Sequence, residues 1–257
     1  MKLAFALLCF LAVQAAQGAH CTAQSSAKTV ALVELYTSEG CDSCPPADRW
    51  LSTLGPQGYA PDRVVPIALH VDYWDYIGWK DPYAHAAHSA RQRKMARLAR
   101  AAMVYTPQVL LQGRDFRGWG TSDFDQAVAR INSGAAPARI SLTLDTAKAG
   151  LFQVAATAQL DKAIPEGDIA LFLAAYENKL VSEVRAGENR GKTLPHDFVV
   201  LQWAGPFEFK ATKRLEERVS LPLLPKAVPG HSGVVAFVQN RANSEVLQAL
   251  MLPACPG

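Results

Sequence analysis

The chain has 257 residues, of which 49% are hydrophobic and 19% are charged, a balance that is ordinary for a globular protein. Its formal net charge of +3 is too small to indicate binding to nucleic acid. The length suits one large domain or two modest ones.

The first 19 residues have the pattern of a secretory signal peptide. Lys2 precedes an apolar run over 3–13, and small residues follow it. The run is shorter than the roughly 20 residues of a membrane-spanning helix. We expect cleavage after Gly18 or Ala19, with Ala15 as an alternative. The mature protein is therefore expected to be periplasmic or secreted, with no membrane span.

Four cysteines remain after the expected cleavage: Cys21, Cys41, Cys44 and Cys255. An even number in an oxidising compartment permits two disulfides, with three possible connectivities. Cys41 and Cys44 are close enough in sequence to pair with each other. Cys21 and Cys255 would then tie the two ends of the mature chain together; the alternative is two thiols that are free or separately capped.

Apolar runs and helical patterns alternate between residues 27 and 135. Strands are predicted over 29–36, 63–71 and 109–111, with 115–118 returning as an antiparallel partner. Helices are predicted over 47–54, from the Asp81-Pro82 start to about 103, and from 122 to about 133. The predicted order is β-α-β-α-β-β-α.

Beyond Pro137 the pattern changes to short segments separated by turn residues. Strands are predicted over 139–145, 152–159, 169–176, 207–212, 218–223, 233–241 and 246–252. About seven strands of this kind suggest an antiparallel sandwich. We therefore predict one domain over 27–135 and an all-β, sandwich-like domain over 137–255.

Cys41 and Cys44 stand three residues apart, between a predicted strand and a predicted helix. A helix N-terminus stabilises a thiolate through its unpaired N–H groups and its dipole. We expect Cys41 to be the nucleophile, since it should be the more exposed thiol, and Cys44 to be the resolving thiol. Asp42 should oppose a thiolate at Cys41, and the sequence leaves open which effect is larger. A zinc site would need further ligands, and no second pair with suitable spacing is present.

The placement of these motifs resembles the thioredoxin fold. Cys41-Asp42-Ser43-Cys44 follows the first strand, and Tyr105-Thr106-Pro107 precedes the third. The resemblance implies that Pro107 is cis and that the Thr106 backbone binds an incoming peptide or mixed disulfide. It also implies a buried acid under the dithiol that relays protons to the resolving cysteine.

Four longer phrases resemble one particular family: ELYTSEGCDSCPPAD, HVDYWDYIGWKDPYA, VYTPQ and GENRGKTLPHDFVV. That family consists of exported, thioredoxin-like bacterial proteins catalogued only as a domain of unknown function. The resemblance implies a thioredoxin-like α/β domain followed by a β-sandwich-like domain, in an exported protein without an established substrate.

Glu34 and three residues after the second strand are further candidates. Glu34 lies in an apolar run, so it is either a buried general base with a raised pKa or a strand-edge residue that reaches solvent. His70, Asp72 and Trp74 should lie at the same sheet edge as Cys41. His70 is a candidate for proton transfer or, with the two thiols, for copper(I) binding. The alternative is a packing and hydrogen-bonding cluster.

Two polar segments complete the survey. The basic side chains at 91, 93, 94, 97 and 100 spread around the predicted helix, so we expect a solvated face, or alternatively a patch for an acidic partner. His85 and His88 are expected on the surface. The segment 187–192, with His196 and Asp197, is expected either to cap the dithiol or simply to connect two strands.

The function predicted from the sequence is thiol–disulfide exchange on other exported proteins. Cys41 would attack and Cys44 would resolve the mixed disulfide, with no organic cofactor and no resident metal. A redox partner must recycle the dithiol. The alternatives are a copper(I)-binding protein using Cys41, Cys44 and His70, and an interaction module in which the dithiol is only a structural disulfide.

Overall fold

A computed structural model describes residues 20–255, apart from 147–149, 162–163, 165–166, 211 and 226. The expected signal peptide over 1–19 lies outside the described residues. Within them, none of the helices is both long enough and apolar enough to cross a membrane.

Most of the described strands belong to two sheets, and the helices cover part of the larger one. The strands are β1 His20–Gln24, β2 Ala31–Thr37, β3 Val64–His70, β4 Gln108–Leu111, β5 Arg114–Asp115, β6 Ala138–Asp145, β7 Leu151–Leu160, β8 Ile169–Glu177, β9 Leu180–Glu183, β10 Thr193–His196, β11 Val199–Glu208, β12 Arg214–Pro222, β13 Ser232–Asn240 and β14 Val246–Pro253. The α-helices are α1 Pro45–Thr53, α2 Ala86–Leu98 and α3 Ser122–Ser133, and short 3₁₀ helices cover Asp72–Ile77 and Pro229–His231.

The larger sheet has eight strands in the order β14-β13-β8-β11-β3-β2-β4-β5. β3 pairs in parallel with both β2 and β11, and the other neighbours in this sheet are antiparallel. The smaller sheet has the order β1-β6-β7-β12, and β9 pairs with β10. Because β11 joins β3, strands from both predicted domains share one sheet. The predicted boundary near 134–137 thus separates chain segments but not sheets.

Three apolar clusters follow from this arrangement. Alternate residues of β2 face opposite sides: Leu35 packs with Leu51 of α1 and Val128 of α3, whereas Tyr36 packs with Met95 of α2. The third cluster lies between the smaller sheet and strands β8, β13 and β14 of the larger one, and its members include Leu144, Leu173 and Val234. A continuous apolar run such as β2 is expected of a strand that is covered on both faces.

The second helix differs from its prediction. It begins at Ala86, with the side chain of His85 accepting a hydrogen bond from Ala87 N, and it ends at Leu98. Asp81 does not cap it, since its carboxylate binds His70 Nδ1 at 2.7 Å instead. His88 is also not on the surface, because Nδ1 lies 2.9 Å from the carbonyl oxygen of His70. Burial lowers the pKa of His88 to about 4.

The strand predicted over 207–212 is also displaced. β11 covers Val199–Glu208, with register irregularities and a cis peptide bond between Gly205 and Pro206. A Gly-Pro pair is typical of a turn, so the sequence pattern did not predict a strand that continues through it. At the chain ends, Cys21 and Cys255 form a disulfide, with their Cα atoms 5.6 Å apart.

Candidate dithiol site

The two free thiols lie at the start of α1. β2 leads into the loop that carries Cys41, and Cys44 is the N-cap residue of the helix. Pro45 and Pro46 occupy the first helical positions, where a fixed φ favours the helix and no N–H is needed. Cys41 is 1% exposed and Cys44 is 0% exposed. Cys41 is thus the more exposed of the two thiols by a small margin only, because other parts of the chain cover both.

Hydrogen bonds favour a thiolate at Cys41. The Sγ atom lies 3.3 Å from Ser43 Oγ, which can donate to a thiolate. In its protonated form Cys41 also donates to the carbonyl oxygen of Thr106 at 3.8 Å, a hydrogen bond that the thiolate does not make. A hydrogen bond from Cys44 lowers the pKa of Cys41 to about 6, against the opposing effect of burial, and Ser43 and Thr106 contribute less. Asp42 is exposed and does not prevent this shift. The peptide bond between Thr106 and Pro107 is cis.

The pKa of Cys44 is shifted in the opposite direction from that of Cys41. Burial raises its pKa well above the ordinary value, and its hydrogen bond to Cys41 and the charges of Cys41 and Asp48 add to this. Asp48 lies one helical turn beyond Cys44 and is 6% exposed. Burial raises the pKa of Asp48, while His70 and His196 oppose the shift. The two shifts therefore have opposite signs, and they favour loss of the proton from Cys41 before Cys44.

Glu34 does not serve as the carboxylate beside the dithiol. Its oxygens accept hydrogen bonds from Arg91 at 2.6 and 3.0 Å, and from the Tyr36 hydroxyl at 3.1 Å. Glu34 occupies an even-numbered position of β2, on the side that faces α2 rather than α1. Of its two alternatives, Glu34 is buried and does not reach solvent, but its partner is Arg91, and Asp48 is the buried carboxylate next to Cys44. The spacing of four residues after Cys44 on a helix was the sequence signal for Asp48.

Arg91 also departs from its prediction. It does not belong to a solvated face, since its side chain is 9% exposed. Its guanidinium carbon lies 5.0 to 5.4 Å from the ring centroids of Phe172, Trp203 and Phe237. The ion pair with Glu34 is thus enclosed by aromatic rings of the C-terminal half.

The residues after β3 divide into two groups. Trp74 reaches the dithiol loop, with Nε1 donating to Thr106 Oγ1 at 2.7 Å. A Cβ atom added at Gly40 would lie 3.1 Å from Trp74 Cβ, closer than an ordinary contact, so Trp74 packs tightly against the dithiol loop. Asp72 faces α2 instead and accepts a hydrogen bond of 2.5 Å from Ser89 Oγ.

His70 is buried at the end of β3. Burial disfavours the imidazolium, but Asp81 outweighs this effect and raises the pKa of His70. In the described part of the chain, no group of three His, Cys, Asp or Glu residues is arranged to hold a metal ion. The copper(I) alternative with Cys41, Cys44 and His70 as joint ligands therefore lacks a binding geometry.

The segment 187–192 covers the dithiol loop. Asn189 is 0% exposed, and its Nδ2 donates at 2.8 Å to the carbonyl oxygens of both Glu39 and Cys41. Glu188 Oε2 accepts from Asp42 N at 3.0 Å, and Lys192 Nζ donates to Asn189 Oδ1 at 2.8 Å. The segment therefore connects the paired strands β9 and β10 and also contacts the backbone of the dithiol loop, so features of both alternatives are present.

Sequence reasoning missed a second set of residues behind the dithiol. Glu39 accepts from Trp79 Nε1 at 2.7 Å, and its other oxygen lies 3.0 Å from His196 Nε2. The rings of His196 and His70 are 4.9 Å apart. No local pattern signals this grouping, because Glu39 and His196 are 157 residues apart in sequence.

Fold and site together define an α/β protein of two sheets with a buried dithiol at a helix N-terminus. The chain belongs to the family described as "Protein of unknown function (DUF1223)", whose model matches residues 32–239. No curated protein matches the chain.

Two solved structures resemble the chain over most of its length. One is a structural-genomics protein of Agrobacterium tumefaciens, 24% identical, with 91% of this chain and 98% of that chain covered and a TM-score of 0.63. The other is HBP35 of Porphyromonas gingivalis, 15% identical, with 90% and 76% covered and a TM-score of 0.67. At these identities the similarity concerns the fold alone.

Proposed function

We propose that this protein is an exported thiol–disulfide oxidoreductase that acts, in the periplasm or outside the cell, on other exported proteins. The observation that carries the proposal is the opposite shift of two adjacent thiols. Hydrogen bonding lowers the pKa of Cys41 to about 6, while burial raises the pKa of Cys44. An attacking thiolate beside a protonated resolving thiol is what exchange through a mixed disulfide requires.

We also infer a thioredoxin-like arrangement for residues 27–135. α1 connects the parallel strands β2 and β3, β4 pairs antiparallel with β2, and a cis proline precedes β4. The Thr106 carbonyl lies 3.8 Å from Cys41 Sγ, beside the place where a substrate disulfide would be attacked. These features support the inference together with the fold shared with the two solved structures.

The reaction follows from the two thiols. The Cys41 thiolate attacks one sulfur of a substrate disulfide, that S–S bond breaks, and the departing substrate thiolate takes a proton from solvent. Cys44 then loses its proton and attacks the Cys41 sulfur, which releases the second substrate thiolate. The substrate gains two electrons and the Cys41–Cys44 pair becomes a disulfide; the reverse sequence oxidises a substrate dithiol. A redox partner returns the pair to its starting state.

The experiment is a titration of the purified protein against glutathione redox buffers, with alkylation and mass analysis of the Cys41–Cys44 pair. A reversible two-electron transition is the expected result. A Cys44→Ser variant should accumulate mixed disulfides with exported proteins, and the matched Cys41→Ser variant should not. A pair that never changes state across the buffers would overturn the proposal.

A further inference from the structure

Two histidine–carboxylate pairs lie together behind the dithiol, and none of the four residues belongs to the exchanging pair. His70, at the end of β3, has Nδ1 2.7 Å from Asp81 Oδ2. His196, at the end of β10, has Nε2 3.0 Å from Glu39 Oε1. All four residues are at most 2% exposed, and the two imidazole rings are 4.9 Å apart at 80°.

In each imidazole, one of the two ring nitrogens does not contact a carboxylate. Among the described residues, His70 Nε2 and His196 Nδ1 are buried and have no hydrogen-bond partner. A neutral imidazole that donates to a carboxylate through one nitrogen carries a lone pair on the other. Both rings are thus held as bases, by the same logic by which a carboxylate orients the histidine of a catalytic triad.

Asp48 lies one helical turn beyond Cys44 on α1, and its N–H donates to the Cys44 carbonyl oxygen at 3.2 Å. Helix α1 packs against β10, the strand that ends at His196. The charge of Asp48 also raises the pKa of the Cys44 thiol. Thr37 Oγ1 donates to Asp48 Oδ2 at 3.0 Å and fixes the carboxylate. Two further titratable residues border the histidines: Tyr83, whose ring lies 5.4 Å from His70 and 5.7 Å from His196, and His88 on α2.

Because this region is buried, its free energy depends strongly on which group carries a proton. When Cys44 resolves a mixed disulfide, its thiol proton has to leave a site that is 0% exposed. An uncompensated charge in such a site is strongly unfavourable. A buried base within electrostatic reach can hold the proton until the pair opens to solvent.

We propose that the His70–Asp81 and His196–Glu39 pairs hold the proton that Cys44 loses during resolution, with Asp48 as the carboxylate between them and the thiol. The proposal rests on the exchange function above and deepens it. In the resolving step the S–H bond of Cys44 breaks, and its proton passes through the Asp48 carboxylate to His70 Nε2 or His196 Nδ1, the two ring nitrogens without a hydrogen-bond partner among the described residues. At the same time an S–S bond forms between Cys44 and Cys41, and the S–S bond from Cys41 to the substrate breaks. The released substrate thiolate takes a proton from solvent, and reduction by the partner returns a proton to Cys44.

The C-terminal half thereby becomes part of the redox site. His196 and the capping Asn189 come from residues 137–255, whereas the two thiols and the other members of the cluster come from residues 27–135. His70 and His196 are positioning residues in this scheme, because they act on Cys44 through Asp48 and do not touch the substrate.

The test separates the two chemical steps with dipyridyl disulfide as the substrate. Attack by Cys41 releases one pyridinethione, and resolution by Cys44 releases a second, so each step appears as its own absorbance phase. His196→Gln and His70→Gln are expected to slow the second phase by about a hundredfold near neutral pH, with the first phase within about threefold of wild type. The deficit should shrink toward about pH 9, where hydroxide supplies a base.

His231→Gln is the matched control, since it makes the same substitution outside the cluster. Second phases that are equal in all four proteins across the pH range would overturn the proton-holding role. A wild-type protein that releases no second pyridinethione would instead overturn the exchange function itself, and the proton-holding role with it.

A second measurement covers the case in which the variants do not fold. In the wild-type protein, NMR resonances of the His70 and His196 rings are followed over pH in the reduced and the oxidised form. Titration midpoints that differ between the two forms are expected, because the cluster faces a thiol in one and a disulfide in the other. Identical midpoints for both rings would contradict the proposal.

Discussion

The side chain of Asn189 donates a hydrogen bond of 2.8 Å to the carbonyl oxygen of Cys41, across 148 residues of chain. The same amide nitrogen also binds the carbonyl oxygen of Glu39 at 2.8 Å. A loop from the C-terminal half therefore holds the backbone of the proposed nucleophile, whose side chain is 1% exposed. We expect this loop to limit the access of a protein substrate to Cys41.

The first prediction concerns this contact. Asn189→Ala removes a donor from two carbonyl oxygens, and that of Cys41 keeps only the longer bond from Cys44 N at 3.3 Å, so we expect a loss of about 1–3 kcal/mol in the free energy of unfolding. Alkylation of Cys41 by iodoacetamide should become faster because the cap opens more often. Denaturant unfolding and timed alkylation with mass analysis measure both effects. The exposed Asn243→Ala serves as control, and unchanged alkylation in Asn189→Ala would show that the loop does not limit access.

The elements around the dithiol were predictable because their signals are local. The predicted strand over 29–36 and helix over 47–54 are confirmed as β2 and α1, each within two residues at either end. β2 is apolar because both its faces are covered, and the Pro-Pro pair favours a helix start. Both signals lie within a few residues of the feature that they specify.

The errors concern charged residues whose partners are distant in sequence. Arg91 was expected in solvent, yet Glu34, 57 residues away, neutralises it inside an aromatic cluster. Asp81 was expected as a helix cap, but it binds His70 and the main-chain N–H of Glu39. A local sequence pattern indicates whether a residue is charged or apolar. Which partner a buried charge has depends on tertiary contacts.

The second prediction concerns the reactivity of Cys41. Because the Cys44 thiol donates the hydrogen bond that lowers the pKa of Cys41 most, Cys44→Ala should raise that pKa from about 6 toward 9.0. The pH at which the iodoacetamide rate is half-maximal reports this value. Cys44→Ser retains a hydroxyl donor and should keep the midpoint near that of the wild type. A Cys44→Ala midpoint that stays near that of the wild type would assign the shift to the helix N-terminus instead.

The third prediction uses the sign of the Asp48 shift. Burial raises its pKa above the ordinary 3.8, so the folded state binds a proton more tightly than the unfolded state does. Stability from this group is present at pH values below 3.8 and is lost as pH rises through the raised folded-state pKa. In Asp48→Asn the amide oxygen can still accept the hydrogen bond from Thr37, and the loss of stability with rising pH is removed because the side chain does not ionise. We expect it to stabilise the protein by about 1 kcal/mol at neutral pH, while slowing resolution by Cys44.

Thermal unfolding at several pH values tests the third prediction. The gain of Asp48→Asn over wild type should grow with rising pH. Asp62→Asn, on the surface, is the control and should change stability by less than about 0.5 kcal/mol. A destabilised Asp48→Asn protein at neutral pH would mean that the folded state favours the charged Asp48 carboxylate by more than burial disfavours it.

The fourth prediction separates Glu34 from the redox chemistry. Glu34→Gln leaves the Arg91 guanidinium charged among aromatic rings, so we expect a loss of about 3–5 kcal/mol in the free energy of unfolding. A Glu34→Gln, Arg91→Met double variant should recover much of this loss, because no unpaired charge remains. The resolving phase with dipyridyl disulfide should be unchanged in the double variant. A slowed phase there would return Glu34 to the role of proton relay.

The fifth prediction concerns the disulfide between Cys21 and Cys255. It joins β1 of the smaller sheet to the residue just beyond β14, at the edge of the larger sheet, and it closes a loop with a sequence separation of 234. Since a cross-link stabilises mainly by restricting the unfolded chain, replacing both cysteines by alanine should lower the free energy of unfolding by about 4–5 kcal/mol. The midpoint of the Cys41–Cys44 redox transition in glutathione buffers should be unchanged.

Denaturant unfolding with and without a thiol reductant measures the contribution of this disulfide. Reductant should destabilise the wild-type protein and have no such effect on the Cys21→Ala, Cys255→Ala variant. A Cys41→Ser, Cys44→Ser protein is the matched control, and it should remain as sensitive to reductant as the wild type. Loss of that sensitivity in the control would transfer the stabilising role from the terminal disulfide to the dithiol, and it would favour a structural over a redox function for Cys41 and Cys44.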